Sequence, residues 1–416
     1  MRKVWNRLLL VLFGLVMAAA PILTFVMPEK TVSYFENRAL AKKPVATRES
    51  ILSGQYFADW DAYLGDHIVG RNTMLKTYAR IQRALPKVEV NNIIETDSGA
   101  LLIMATPEAY DPQEQAARMD EKTRELKALA EHVEESGGVF CYVGVPGQRY
   151  VYYDEYPEYL SIGRSLVDYC EERVFGALAE TNAVAVNMRT VFDETGDAKA
   201  YYSALDNHYN YDGVLLTYRT MMQAINERLD TPLRIYADEE LTFHTESQEF
   251  FGSYSRRICN LQPRKEHLVW AEPTEPVPFT REDYHVSVPT NTFAQPDPVV
   301  STYAGYMGGD MGETIIRTGR EDLPRVLMFG DSFTNPLEGL IYASCGEFRS
   351  LDFRHYDAMT LWEYIDYYQP DIVIAVRDNM SYNQVEQRKI SMKVAEGMRV
   401  FRTGHRLSFF LGDSLL

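Results

Sequence analysis

One short segment of the sequence places a serine where a nucleophile could lie. LMFGDSFTNPLEGL, residues 327–340, is an apolar run followed by Gly-Asp-Ser and then by helix-forming residues. In an open α/β sheet, side chains at the carboxyl end of a strand face the crevice that binds ligands. Ser332 at such a turn would expose its hydroxyl, with the positive end of the next helix beside a developing oxyanion. Serine also caps helices, so this segment alone leaves both interpretations open.

A second segment supplies the base that a serine nucleophile requires. YYSALDNHYNYDG, residues 201–213, contains Asp206 and His208. An imidazole accepts the hydroxyl proton, and a carboxylate fixes its tautomer and stabilises the imidazolium. By itself an Asp-x-His pair is often a structural contact, and a metal site is disfavoured because no further His or carboxylate stands at ligand spacing. Since both segments fall at element ends in one predicted domain, the order Asp, His, Ser favours a catalytic triad.

The elements around these residues alternate between strand and helix from about residue 91. The pattern predicts helices over 111–138, about 164–181, after Asp212, from Asn335 and over 359–368, with a last helix near the C-terminus. The predicted strands are VFCYVGVP, AVAVNM, PRVLMF, FRSLDF and DIVIAV. This alternation is typical of an α/β fold with a mostly parallel sheet and helices on both faces.

The pattern breaks between about residues 231 and 322. This stretch is rich in Pro, Thr, Ser and aromatic residues, with short strand-like runs such as EHLVWA and DYHVSVP. It predicts a β and loop insertion beside the sheet.

The N-terminus carries a membrane signal. Basic residues at positions 2, 3 and 7 precede an uncharged apolar run over 8–27, and about 20 such residues are needed to cross a bilayer. We therefore expect a cytoplasmic tip and a transmembrane helix in residues 1–30, a membrane-proximal helical segment in 31–90, and the α/β domain in 91–416. A signal peptide cleaved after Ala20 is the alternative. Both interpretations place the remaining chain outside the cytoplasm.

Composition and cysteine spacing exclude several classes of protein. The chain has 416 residues, is 46% apolar and carries a formal charge of −17, with no basic block beyond the N-terminus. This argues against nucleic-acid binding. Cys141, Cys170, Cys259 and Cys345 lack metal spacing, and Cys141 and Cys345 are expected in the core; a disulfide stays possible.

Several motifs occur in an order that resembles the DHHW proteins. They are YFENRALAKKP, FADWDAYLGDHIVGRN, YYSALDNHYNYDG, YMGGDMG and LMFGDSFTNPL. DHHW proteins are similar to alginate O-acetylation proteins of the AlgJ/AlgX type, in the SGNH-hydrolase-like superfamily. The resemblance implies a permuted SGNH-type domain that acts on O-acyl groups of an extracytoplasmic bacterial polysaccharide without a cofactor. It implies Ser332 as nucleophile, His208 as general base and Asp206 as orienting acid, with a membrane-bound O-acyltransferase as acyl donor.

The sequence departs from the family pattern around the predicted site. Asn207 fills the middle of the Asp-x-His motif, and Tyr209 stands where the family has Trp. Tyr209 is expected to stack on a sugar ring, and Tyr202 is predicted as a further substrate-binding residue. Arg149 lies where the family often has Lys, so it would contact an anionic sugar or simply solvate a loop.

Asp66, His67 and Arg71 match a family Asp-His-x-x-x-Arg pattern that we interpret as structural, packing the N-terminal helix onto the domain. The same triad could instead hydrolyse esters, because only the acceptor differs, or the protein could bind polysaccharide with a vestigial triad.

Overall fold

A single large sheet organises the chain. The computed structural model describes residues 2–104, 111–160, 164–295 and 300–382. The helices in these ranges are α1 Arg2–Val26, α2 Arg48–Ser53, α3 Gln55–His67, α4 Arg71–Ala84, α5 Pro112–Glu135, α6 Gln148–Val151, α7 Ser165–Leu178, α8 Met188–Glu194, α9 Tyr211–Asn226, α10 Ser253–Arg257, α11 Asn335–Ile341 and α12 Leu361–Tyr368. The strands are β1 Val32–Ser33, β2 Arg38–Ala39, β3 Ile93–Glu95, β4 Leu101–Ile103, β5 Val139–Val145, β6 Val184–Asn187, β7 Leu241–Thr245, β8 Val269–Pro273, β9 Thr280–Asp283, β10 Val286–Val288, β11 Glu313–Arg317, β12 Arg325–Gly330, β13 Glu347–Leu351 and β14 Ile372–Asp378.

The large sheet has the strand order β10-β9-β11-β13-β12-β14-β5-β6. Strands β13, β12, β14, β5 and β6 run parallel to one another. Strands β10, β9 and β11 pair in antiparallel fashion and extend the sheet beyond β13. The predicted α/β fold with a mostly parallel sheet is therefore confirmed. Since parallel strands end at the same edge, the turns after β5, β12 and β14 meet there.

Helices cover both faces of this sheet because its central strands are apolar on both sides. On β14, Ile372, Ile374 and Val376 belong to a core that also contains residues of α8, α9 and α11. Val373 and Ala375, which alternate with them, belong to a second core with residues of α5, α7 and α12. The alternation follows the two-residue period of a strand.

The segment from 231 to 322 differs in part from the expected insertion. Its hairpin β7-β8 lies apart from the large sheet, but β9, β10 and β11 are strands of that sheet. The run DYHVSVP, expected as one strand, contains a tight turn at Tyr284 and His285, whose φ angles are +52° and +61°. Residues with positive φ interrupt a strand and favour a hairpin.

The cysteines and the two ends of the chain were also the subject of predictions. All four cysteines are buried and unpaired. The last helix predicted near the C-terminus lies outside the described residues. The predicted membrane-proximal helical segment, residues 31–90, begins with the small hairpin β1-β2. Among the described residues, α1 is the helix that is long and apolar enough to cross a membrane. A signal sequence would have the same properties.

Candidate active site

The two polar segments meet at one point. His208 Nε2 lies 2.7 Å from Ser332 Oγ, and His208 Nδ1 contacts Asp206 Oδ1. The two segments are 124 residues apart in sequence. Asp206 and His208 are buried, whereas Ser332 is half-buried. The structure thus brings together the three residues that the motifs predict, in the order of contacts that a serine triad requires.

The Asp206 carboxylate is held from several directions. It accepts hydrogen bonds from the backbone N–H of His208 at 3.2 Å and from the backbone N–H of Ser253, the first residue of α10. Burial would raise its pKa, but the charge interaction and hydrogen bond with the His208 ring, the N–H of Ser253 and the charge of Arg256 together lower the pKa to about 2. Asp206 is therefore a carboxylate at neutral pH, as an orienting acid must be.

The nucleophile turn depends on a close approach of two strands. A Cβ atom on Gly330, at the end of β12, would lie 2.3 Å from the carbonyl oxygen of Val376 on β14, so a side chain does not fit. Asp331 closes the turn by accepting the N–H of Phe333 at 3.1 Å and that of Asp378 at 3.2 Å. Ser332 lies before α11, and its hydroxyl contacts His208 instead of capping the helix.

Asn379 is a further polar residue at this edge that the sequence reasoning missed. It directly follows β14, and its neighbour Asp378 contacts the Ser332 turn through Asp331. Its Oδ1 accepts the N–H of Gly147 at 2.9 Å, and its buried Nδ2 has no partner among the described residues. Leaving a buried N–H group without a partner costs free energy. The pattern that pointed to Ser332, a polar residue directly after an apolar strand, also occurs in VRDN, residues 376–379.

An aromatic residue covers the imidazole. The Tyr303 ring stacks on His208, with centroids 3.7 Å apart and an interplanar angle of 10°. Tyr303 also lines a cavity of about 360 Å³ that reaches Asp206 and includes Tyr306, Phe250, Arg264 and Glu266. No sequence pattern singled out Tyr303, because only the fold brings residues 208 and 303 together.

The sugar-stacking role of Tyr209 stays a prediction, because Tyr209 lines the cavity beside Asp206 but exposes little of its side chain. Tyr209 is only 2% exposed, its hydroxyl donates to the carbonyl oxygen of Phe333, and its ring meets the Phe333 ring edge-on. Its ring supports the nucleophile turn from inside. Tyr202 lines the same cavity, is equally buried and donates to the carbonyl oxygen of Pro146, so its substrate contact also stays a prediction.

Arg149 remains a prediction. It lies half-exposed on α6, next to Gln148, whose N–H donates to the carbonyl oxygen of Asn207 at 3.4 Å. This places its backbone beside the loop that carries the triad acid and base. Asn207 itself accepts a hydrogen bond from the Ser253 hydroxyl at 2.8 Å, which ties that loop to α10.

One group of side chains has the composition of a cation site. Potential ligand atoms of Asp310, Asp352 and His355 lie within 4.8 Å of one another. However, the Arg354 guanidinium binds Asp310 at 3.0 Å and Asp352 at 2.6 Å, so an internal cation already neutralises both carboxylates. This group does not include any residue of the triad.

Comparisons with known proteins agree with this fold. Residues 104–287 match the family model described as an SGNH hydrolase-like domain of the acetyltransferase AlgX. This match supports an SGNH hydrolase-like enzyme of the O-acetyltransferase or esterase class. The predicted resemblance is confirmed over the matched residues.

Two solved structures share the fold at low sequence identity. Bacillus cereus PatB1 with a sulfonyl adduct is 18% identical, with a TM-score of 0.58, over 70% of this chain and 95% of that chain. A DHHW family protein from Eubacterium siraeum is 18% identical, with a TM-score of 0.55, over 74% of this chain and 97% of that chain. No curated protein matches the sequence.

Proposed function

We propose that this protein is a membrane-anchored, extracytoplasmic O-acyltransferase that transfers an acetyl group to a hydroxyl of a polysaccharide through an acyl-serine intermediate. The observation that carries the proposal is the continuous contact from Asp206 through His208 to Ser332. Acyl transfer in general agrees with the acetyltransferase family model that the chain matches.

In the first half-reaction, Ser332 Oγ attacks the acyl carbonyl carbon while His208 Nε2 accepts the hydroxyl proton. The tetrahedral oxyanion would be bound by the Ser332 N–H and by Asn379 Nδ2, which has no other partner among the described residues. Collapse of the intermediate expels the donor alcohol, which takes the proton from His208. Asp206 stays ionised and stabilises the imidazolium throughout.

In the second half-reaction, a sugar hydroxyl attacks the acyl-serine. His208 accepts the sugar proton and then returns a proton to Ser332 Oγ, so the enzyme is regenerated and one O-acetyl sugar is formed. The cavity beside Asp206 supports a carbohydrate acceptor, because it combines the aromatic rings of Tyr303 and Tyr306 with the polar groups of Arg264 and Glu266. A predicted substrate contact from Arg149 would add to this surface.

Two partners follow from this chemistry. Acetyl-CoA is cytoplasmic, so an extracytoplasmic transferase must receive its acyl group across the membrane, and the family resemblance suggests a membrane-bound O-acyltransferase as donor. Helix α1 would keep the domain beside such a partner.

The test uses the full chain in detergent with a chromogenic acetyl ester. We expect Ser332→Ala and His208→Ala to lose roughly 10³-fold or more in kcat, since the triad acts as a unit. Ser136→Ala, at an exposed serine after α5, is the matched control and should be unchanged. Equal turnover in all four proteins would reject the proposal.

A second measurement separates transfer from hydrolysis. Adding a candidate cell-surface glycan should yield acetylated glycan in place of free acetate. Triad-dependent turnover that releases only acetate with every glycan would identify an esterase instead.

A further inference from the structure

Two motifs near the N-terminus take no part in the triad, yet they build one locked hairpin. Arg38, on β2, binds Asp66 of α3 through two hydrogen bonds of 2.9 and 2.5 Å. Arg71, at the start of α4, binds Glu36 at 2.6 Å, and His67 Nε2 contacts the carbonyl oxygen of Ala41 at 2.9 Å. The FENR and GDHIVGR sequences therefore hold residues 31–41, which we call the N-terminal hairpin, against α3 and α4.

The tip of the N-terminal hairpin contacts α10. Asn37, whose φ is +50°, accepts a hydrogen bond from Arg256 Nη1 at 2.9 Å. The Arg256 guanidinium lies 5.8 Å from the centre of the Tyr34 ring, and Tyr34 accepts a hydrogen bond from Asn260 at 3.1 Å. These contacts fix the direction of the Arg256 side chain, which is half-buried.

The other side of α10 contacts the triad. Ser253 donates its N–H to Asp206 and its hydroxyl to Asn207. Gly252 approaches so closely that a Cβ atom would lie 2.4 Å from the carbonyl oxygen of Leu205 and 2.6 Å from Asp206 Cβ. One five-residue helix thus joins the N-terminal hairpin to the carboxylate that orients His208.

We propose that Arg256 is a positioning residue of the triad and that the N-terminal hairpin holds it in place through Asn37, which makes the membrane-proximal segment a part of the active-site support. This inference rests on the proposed function of the triad. Arg256 supplies a positive charge near Asp206 in a partly buried region, where charge interactions are weakly screened. That charge stabilises the carboxylate and opposes a proton on the imidazole.

The groups that face Asp206 come from several elements. The titratable and charged ones in the described parts of the chain are His208, Arg256, Tyr254, Glu266, Tyr303 and Tyr306. The tyrosines are uncharged and Glu266 is acidic. Arg264 lines the same cavity, but it pairs with Glu266 at 3.5 Å. Removing the positive charge of Arg256 therefore makes the field at Asp206 more negative.

The experiment measures the pH dependence of ester turnover by the full chain in detergent. We expect Arg256→Gln to lower kcat roughly tenfold, with KM changed less than about twofold, and to move the acid limb of the profile to higher pH, because protonation of the base becomes easier. Asn37→Asp should move the limb in the same direction, since its carboxylate neutralises the guanidinium. Arg256→Lys keeps the positive charge, so its acid limb should lie at the wild-type pH. Arg257→Gln, at the exposed neighbouring residue, is the matched control and should leave the pH profile unchanged.

A second measurement does not depend on turnover. NMR follows the titration midpoint of the His208 imidazole, with His208→Ala used to assign its signal, and this midpoint should shift in the same direction as the acid limb. Midpoints and profiles of Arg256→Gln and Asn37→Asp that overlay the wild type would overturn the inference, even if their thermal stability fell. Should Arg256→Gln fail to fold, Asn37→Asp carries the test, because it adds no volume at the hairpin tip. If the wild type turned over the ester no faster than Ser332→Ala, the proposed function itself would be rejected.

Discussion

At the scale of the residue, His208 is fixed on three sides. Asp206 contacts one ring nitrogen, Ser332 contacts the other, and the Tyr303 ring covers one face. A side chain held in this way loses little further conformational entropy in the transition state. A preorganised site lowers the activation barrier for this reason. Buried Tyr209 contributes from beneath by holding the carbonyl oxygen of Phe333.

The unpaired amide of Asn379 leads to a prediction at this scale. Asn379→Ala is expected to lower kcat for the acetyl ester by about 10²-fold with little change in KM, since an oxyanion donor acts mainly in the transition state. Steady-state kinetics of the full chain measure the effect. Asn182→Ala, at an amide outside the site near the end of α7, serves as the control. A change in KM alone would assign Asn379 to substrate binding.

At the scale of the element, the site depends on which strands are neighbours. Strand β12 pairs with β14, and Gly330 lies opposite Val376 in the register, so the turns that carry Ser332 and Asn379 emerge side by side. Helix α10 and the loop before α9 then bring Asp206 and His208 to the same edge. The loop before α9 carries Asp206 and His208, whereas Ser332 and Asn379 follow two different strands, so the site exists only in the assembled fold.

Asp66 gives a prediction about the N-terminal hairpin. The Asp66→Asn substitution removes the charge that binds Arg38 and leaves one acceptor oxygen for the Arg38 guanidinium and the Ala41 N–H, which lies 2.9 Å away. We expect the free energy of unfolding to fall by about 2 kcal/mol, the typical effect of losing charged hydrogen bonds. Thermal unfolding at neutral pH measures it. Asp61→Asn, on the exposed face of the same helix, should have no such effect, and equal losses would contradict the assignment.

The same residue predicts a dependence on pH. The hydrogen bond from Arg38 lowers the pKa of Asp66 to about 2, against the effect of burial and with help from the Ala41 N–H; the usual value is 3.8. Because the folded-state pKa lies below the unfolded one, the stabilisation is complete above about pH 4 and is lost as the pH falls towards 2. The stability difference between wild type and Asp66→Asn should therefore shrink below about pH 4.

At the scale of the whole molecule, apolar surface is distributed unevenly. The side chains of α1 are almost all exposed, and further exposed large apolar residues occur between Val32 and Val88, whereas the α/β domain exposes few. The end of α1 contacts α3, through Phe25 and Trp60, and the α3–α4 connection, through Thr24 and Val69. This arrangement suits a helix that lies in a bilayer with the domain outside it.

Membrane anchoring is tested on the intact chain in bacterial cells. We expect the protein to stay in the membrane fraction after an alkaline carbonate wash and to keep its original N-terminus. Leu12→Arg with Leu15→Arg should reduce insertion, since each charge near the middle of a spanning helix costs about 2.5–3.5 kcal/mol. Leu178→Met, a mild change in the α/β core, is the control. A released chain that begins near Pro21 would instead identify α1 as a signal peptide.

The sequence by itself determined the features that depend on local pattern. Alternation of apolar runs and amphipathic helices predicted the parallel part of the sheet, because burial on both faces demands apolar strands. Side-chain chemistry and motif order selected Ser332, His208 and Asp206. Local pattern did not separate DYHVSVP into two strands, since a turn formed by residues with positive φ is invisible without a Gly or Asn-Gly signal.

Only the tertiary structure decided what each aromatic and polar residue faces. Tyr209 and Tyr202, expected at the substrate, are buried. Neither Tyr303, which stacks on His208, nor Asn379, which follows the strand next to the Ser332 turn, was predicted. The contact from Asn37 through Arg256 towards Asp206 spans 219 residues of sequence. Such contacts are set by strand order and by the docking of short elements, which depend on the packing of the whole chain and leave no periodic trace in the sequence.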